Sequence, residues 1–515
     1  MAARINLISL APFPSSLSPT FFNRLETRRF SSRASSSSPS SLPQNPSQNP
    51  LPSSSSVLHC PHFESCSGCS HEYNLHQPPI LGEASDFFKN IGVADFTFES
   101  RRTWGWRCRA KLAVRGTSAK PFIGLYEEGT HNVVDIPECK AHHPSINVAV
   151  DLLKRAMFEL NIEPYDEDQG TGELRYVQLA VTTYDTSLPT RERYKNGKVQ
   201  VALVWNSRDE SSPNSEKLNA LASYLWMNGG PEKKVHLIHS VWANFQISTN
   251  NTIFGNRWIH LLGEKEFWEH VGGIDISLVP SSFGQPNTRA FDSLLHRLRK
   301  YVCIGASVVD LYAGAGFIGL SLAATRKCRS VKCVEVNKES KQSFEKTASR
   351  LPITMDCSIS WHHADVSKES LYWLLGSDVV IVDPPRKGLD SSLVSALQSL
   401  SFMKLKNNMS ESKKVKNEKR PWVLRERETS GQSLGQTKEA ERQSLPETLI
   451  YISCGWDSFK EDCMSLLSTK SWHLEKAHGF NFFPGTQRCV LFWIYQINTV
   501  LQFCYIEKFQ VSNHS

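Results

Sequence analysis

The chain of 515 residues contains no run of about eighteen uncharged apolar residues, the length a membrane-spanning helix needs, so no helical membrane span is expected. Its first 55 residues almost lack acids: Glu26 stands alone against Arg4, Arg24, Arg28, Arg29 and Arg33 in a stretch rich in Ser and Pro. That is the composition of an organelle transit peptide, and its bias toward Ser over a clean Arg-rich amphipathic helix favours a chloroplast over a mitochondrion. With those five Arg and one Glu set aside, only +3 of the formal +7 charge belongs to the body, so net charge makes little case for a nucleic-acid partner. Thirteen cysteines in a chain this long do not suit a disulfide scaffold; free thiols, metal ligands or catalysts are expected.

What is present suggests two or three domains. Residues 56–280 read as an α+β region, with short alternating runs such as "KLAVRG" and "VQVALVW" for strands and helical spacing in "INVAVDLLKRAMFEL". Over 281–499 the order becomes strand, Gly-rich turn, helix, repeated as in a doubly wound sheet. The expected strands are "SVVDLYA", "VKCVEV", "DVVIVDPP", "TLIYISC" and "CVLFWIYQI", apolar enough for a sheet covered on both faces. Residues 404–447, rich in Lys, Glu and Ser, read as a disordered insertion, and 500–515 as an atypical tail.

In "VVDLYAGAGFIG" an apolar strand runs into Gly314, Gly316 and Gly319, where the backbone can approach a ligand closely. Glu335 ends the next strand, placed to accept both hydroxyls of a ribose. These two features define a nucleoside site without choosing between a dinucleotide and a methyl donor. In "DVVIVDPPRKGL" Asp383 closes a strand and Pro384 and Pro385 fix a rigid turn beyond it, an acid-Pro-Pro pattern common where methyltransferases act on planar bases. The next strand delivers Cys454 to the same edge. Carbon 5 of uracil is too poor a nucleophile to attack a methylsulfonium, but a thiolate added at carbon 6 creates an enolate that can. Near the N-terminus "CPHFESCSGC" gathers Cys60, Cys66 and Cys69, with Cys139 available later; four thiolates suit an iron-sulfur cluster or zinc, and the three-plus-one spacing leans to the cluster.

Together the cysteine cluster, "GLYEEGTHNVVDIPEC", "HPSIN", "FGQPN", "DLYAGAG", "VDPPRKGL", "YISC" and "FFPGT" resemble, in wording and in order, the RNA uracil-5-methyltransferase family over most of the chain from Cys60 to about Leu491. The resemblance implies a C-terminal Rossmann-like methyltransferase domain beside a central α+β iron-sulfur domain, a monomer that methylates rRNA or tRNA, and no membrane partner. It implies that Cys60, Cys66, Cys69 and Cys139 hold a 4Fe-4S cluster of structural or RNA-positioning role, with zinc the alternative. Gln285, Tyr312, Gly314, Gly316, Glu335, Asp365 and Asp383 would bind S-adenosylmethionine, Asp383 would also face the uracil, and Cys454 would be the nucleophile.

The family often carries an RNA-binding β-barrel ahead of the cysteines; only the Ser-rich stretch stands there, so that module is not expected. Phe317 replaces an Asn of many relatives. More consequentially, the family's proton-abstracting Glu follows the "FPGT" turn, whereas "FPGTQRCVLF" and the ending "QINTVLQFCYIEKFQVSNHS" depart from the family. The alternative function is a catalytically impaired RNA-binding protein that retains the fold.

Overall fold

The computed structural model describes residues 57–497 except 94, 184–187, 190–191, 193–196, 251, 327, 353–355, 401–402, 404–443 and 487–488. The expected leader over 1–55, the tail over 500–515 and all but the last four residues of the 404–447 insertion lie outside the described residues.

With strands numbered along the chain, β9 (Phe267–Val271) and β10 (Ile274–Leu278) form a separate hairpin, and one sheet contains β1 (Phe96–Glu99), β11 (Ser307–Leu311), β12 (Ser330–Glu335), β13 (Ser358–His363), β14 (Val379–Val382), β15 (Thr448–Ser453), β16 (Trp472–Phe480) and β17 (Val490–Ile497). Their spatial order is β1-β16-β17-β15-β14-β11-β12-β13. Every neighbour is parallel except β17, which runs against both β15 and β16. Parallel neighbours need crossovers, supplied by helices such as Phe317–Arg326 between β11 and β12 and Ser340–Ala348 between β12 and β13. Because successive residues point to opposite faces, Val308, Ile381 and Ile450 enter one core while Val309, Val380 and Leu449 enter the other. Both faces are therefore covered, which is why these strands read as unbroken apolar runs.

The second sheet joins β2 (Arg109–Thr117), β3 (Lys120–Tyr126), β4 (Val133–Asp135), β5 (Leu174–Val181), β6 (Val199–Trp205), β7 (Ile238–Phe245) and β8 (Arg257–Gly263) in the order β4-β3-β2-β5-β6-β7-β8. Its pairs are antiparallel except β6 with β7, whose connection is the helix Ser215–Gly229. That helix and Pro144–Glu159 bury Leu153, Ala156, Leu221 and Leu225 against Leu112, Val114 and Leu203 of the sheet. Pro144 opens its helix where no backbone donor is needed, and the His143 ring accepts from Ser145 N at 3.2 Å.

Two connections tie the sheets into one frame. The helix Ile80–Asn90 and β1 come from the N-terminal side yet belong to the larger sheet: Phe96 pairs with Ala477, and Phe88 is wholly buried in its core. β1 thereby covers the edge that β16 would otherwise present to solvent. The cysteine loop docks on the "FPGT" turn, where Ser70 N and His71 N donate to Gly485 O at 2.8 and 3.2 Å. Among the described residues no helix is long and apolar enough to cross a membrane.

Candidate active site at the sheet edge

β11 ends at Leu311, and the chain turns sharply through left-handed backbone at Tyr312 (φ 61°), Gly314 (φ 55°) and Gly316 (φ 81°) before the helix Phe317–Arg326. A Cβ at Gly316 would lie 2.5 Å from the Phe344 ring, so glycine is required there on both conformational and steric grounds. Asp310, fully buried, accepts from Gly319 N at 2.9 Å and braces the turn from beneath; burial pushes its carboxyl up to about 8. Glu335 braces it from the side, its carboxylate accepting from Gly314 N at 2.8 Å and Asn337 N at 2.7 Å.

A pocket above the turn is lined by Gln285, Tyr312, Gly314, Phe317 and Asp383 among others. Glu335 joins it through the bond to Gly314, whereas Gly316 faces back toward Phe344. Asp365 is not in the lining: its carboxylate accepts from Ser367 N and Oγ at 3.0 and 2.6 Å, which holds it below the usual range, and its charge reaches Tyr312 from the next turn. Phe317 starts its helix and meets Phe291 edge to face, with ring centroids 5.6 Å apart.

Asp383, just beyond β14, lines both this pocket and a larger cleft of about 1190 Å³. Burial pushes its carboxyl up to about 7. The loop after it is pinned: Asp462 accepts from Leu389 N at 2.8 Å and from Tyr451 O–H at 2.7 Å, and Tyr312 O–H donates to Asp390 at 3.3 Å. Cys454 leaves β15, the strand beside β14, and opens into the same cleft with Pro384, Pro385 and Arg386. Burial, then the Asp383 charge, push its thiol up, while the Arg386 side chain acts in the opposite sense.

β17 pairs Leu491 with Ser453, so one step further sets Val490 across from Cys454. Val490 lines the cleft and is only 6% exposed. The carboxyl groups among the cleft's lining residues are Asp383 and Glu128.

Cys60, Cys66, Cys69 and Cys139 also line this cleft, all as free thiols. Burial is the largest influence on Cys66, Cys69 and Cys139 and raises all three, Cys69 to about 12; the neighbouring thiols add to the rise and Arg107 offsets part of it. Among the described residues no group of three or more His, Cys, Asp or Glu side chains stands arranged to hold a metal ion.

Sequence reading missed Asp310, Asp390, Asp462 and Arg386 as parts of the site. Arg386 adjoins the acid-Pro-Pro pattern and could have been flagged from it; the others gain their partners only through the fold.

A parallel sheet with one antiparallel strand, a Gly-rich turn after its central strand and a carboxylate ending the next is the fold of the S-adenosylmethionine-dependent methyltransferases, and S-adenosylmethionine is the cofactor it implies. Residues 286–439 match the family described as conserved hypothetical protein 95. The chain is 36% identical to an uncharacterized RNA methyltransferase of Protochlamydia amoebophila, over 86% of this chain and 99% of the relative. A second uncharacterized RNA methyltransferase, from Geobacter sulfurreducens, is 29% identical over 65% of each chain. The chain belongs to this RNA methyltransferase family. Among solved structures, the Pyrococcus abyssi tRNA (uracil-54, C5)-methyltransferase in complex with S-adenosyl-L-homocysteine superimposes with a TM-score of 0.58 at 20% identity, covering 84% of each chain, which shows a shared fold.

Proposed function

We propose that the protein is an S-adenosylmethionine-dependent RNA methyltransferase that forms 5-methyluridine in rRNA or tRNA through a covalent adduct at Cys454. The observation carrying this reading is that Asp383 and Cys454, at the ends of adjacent strands, face one cleft that meets the glycine-turn pocket at Asp383. When bound, S-adenosylmethionine supplies the methyl group; Gln285, Tyr312, Gly314, Glu335 and Asp383 position it, with Asp365 and Gly316 contributing from the rim and from behind. Cys454 adds to carbon 6 and moves electron density onto carbon 5. Asp383, with its carboxyl near neutrality, orients the base. Elimination of the thiolate then requires loss of the carbon 5 proton, and Val490 offers no acceptor for it, so turnover is slow and the adduct accumulates.

The four thiols lining the cleft are soft donors of the kind a 4Fe-4S cluster takes, unpaired and from two segments, with Arg107 near Cys66, Cys69 and Cys139, although they do not stand gathered around one centre. Zinc is the competing occupant. Such a group would hold the cysteine loop against the "FPGT" turn and shape the RNA side of the cleft. The composition of the first 55 residues supports import into a chloroplast, with a mitochondrion second; targeting of a fluorescent fusion tests this.

Anaerobic incubation with methyl-labelled S-adenosylmethionine and unmodified organellar RNA, followed by nucleoside analysis, tests the reaction. Label should appear as 5-methyluridine or as a 5-methylated uracil held on the protein. Label on another base or position overturns the reading.

A further inference from the structure

An enzyme that does chemistry on a base takes that base out of its strand, and the neighbouring bases lose a stacking partner. The protein gains affinity by offering those neighbours aromatic faces, with a cation for the phosphates between them. The central sheet carries both beside the cleft. Register sets Lys111 opposite Gln178, Gln178 opposite Ala202, Ala202 opposite Trp242 and Trp242 opposite His260. This row crosses the sheet on the face turned away from its two helices, because the alternate residues Leu112, Val177, Leu203 and Ala243 share the core with those helices.

Lys111 begins the row and also lines the cleft that holds Asp383 and Cys454. Its ammonium lies 4.6 Å from the centre of the Phe254 ring, and Phe254 meets Trp258 with ring centroids 5.0 Å apart. In the same row Trp242 and His260 stand edge to face at 4.9 Å. Lys111 is exposed and Phe254, Trp258 and His260 are half-buried, so ring surface stays open along the strip.

Buried polar groups hold this strip in place. The Asn244 side chain, wholly buried in β7, accepts from Gly255 N at 2.8 Å and donates to Gly255 O and Arg257 O at 2.8 and 3.0 Å. A Cβ on Gly255 would run into Phe245 O, so glycine lets the residue after Phe254 lie tight against β7. Earlier in the same connection, buried Arg175 donates to Ser248 O at 2.7 Å and Gln246 Nε2 to Thr252 O at 3.0 Å. The fixed backbone presents the Phe254 ring, and none of these bonds depends on that ring.

We propose that Lys111, Phe254 and Trp258 form a subsite for unpaired RNA next to the target nucleotide, in which flanking bases stack on the two rings and Lys111 pairs with the phosphate that leads into the cleft. Two observations favour RNA over a protein ligand: the strip runs into the reactive cleft at Lys111, and the chain belongs to a family of RNA methyltransferases. Unpaired RNA is favoured over duplex because a ring can stack only on a base that has left its own stack.

The inference rests on RNA as the substrate, not on uracil as the methylated base. Full-length native protein and its variants are titrated with a fluorescent, uridine-rich single strand of RNA about a dozen nucleotides long, and binding is read by anisotropy without S-adenosylmethionine. Phe254→Ala and Phe254→Leu should each weaken binding about tenfold, since leucine keeps the apolar bulk but offers no face to stack on, while Phe254→Tyr should stay near native. Trp258→Leu should act in the same direction. Lys111→Gln should lower affinity and reduce the slope of log affinity against log salt by about 0.7, the share of one phosphate on a single strand. Native S-adenosylhomocysteine affinity identifies the folded variants. Native protein that binds no single strand, or folded Phe254→Ala and Phe254→Leu variants that bind as the native does, would overturn the proposal and leave the strip to packing or to a protein partner. Because no chemistry is read, weakened binding in these variants together with methylation of another base would keep the subsite and refute only the uracil reading.

Discussion

One cleft is lined by thiols of two settings. At the sheet edge a single cysteine, Cys454, stands at the end of a buried strand, with Asp383 and Arg386 also lining the cleft. Cys60, Cys66, Cys69 and Cys139 line the same cleft from two loop segments, and burial, then neighbouring thiols, raise Cys66, Cys69 and Cys139. The proposed function thus gives the same functional group two different tasks. In the proposed function the lone thiol at the strand end reacts, whereas the four grouped thiols would hold a metal centre. The scaffold follows the difference: a strand end fixes Cys454 in direction, while the cysteine loop depends on its docking to Gly485.

Substitutions in the two settings should have effects of different size. The largest effect is expected from Val490→Glu, which places a carboxylate opposite Cys454 and should raise the rate of 5-methyluridine release by about 10² to 10⁴, the usual worth of a general base; single-turnover release of labelled RNA measures it. Glu335→Ala removes a charged acceptor and should weaken S-adenosylhomocysteine binding by about 10- to 100-fold, corresponding to about 1.5–3 kcal/mol, as read by calorimetry. In the cysteine loop, anaerobically purified protein carrying the proposed cluster should be brown, and Cys66→Ser should abolish that colour and leave S-adenosylhomocysteine binding near native; a colourless native protein with one equivalent of zinc would replace the cluster by zinc.

The smallest expected effect concerns the support beneath the glycine turn. The folded Asp310 carboxyl, raised to about 8 from an ordinary 3.8, binds its proton more tightly than the unfolded one. Native protein should therefore lose stability relative to Asp310→Asn as pH rises from about 4 to about 8, a difference in Tm of a few degrees for a chain of this size. Thermal melts of both proteins across that range would show it as a widening gap, and parallel curves would contradict it.

Much of the larger sheet was legible because its central strands are locally unambiguous: the runs at β11, β14, β15 and β17 are buried on both faces and read as continuous apolar stretches. β13 and β1 were not identified. "SISWHH" is half exposed, and "FTFE" is four residues long with Glu99 at its end. Neither carries a pattern that separates a strand from a loop. β16 was also missed; its register shifts between Leu474 and Lys476, which breaks the alternation a strand would show. In the site, the glycine turn, Asp383 and Cys454 are each announced by neighbours in sequence. The facing of Val490 and Cys454, and the docking of the cysteine loop on Gly485, join residues far apart along the chain and depend on strand order and register. That no acid closely follows the "FPGT" turn could be noticed in the sequence; that Val490 stands across from Cys454 required β17 to be laid beside β15.

The most direct test is to incubate native protein and Cys454→Ala with methyl-labelled S-adenosylmethionine and RNA, then denature and digest both and look for label on the Cys454 peptide. The account expects a 5-methylated uracil adduct on Cys454 that accumulates in the native protein and is absent from the variant, with product formation reduced by at least about 10³-fold in the variant. Methyl transfer to RNA that proceeds unchanged without Cys454 would contradict it.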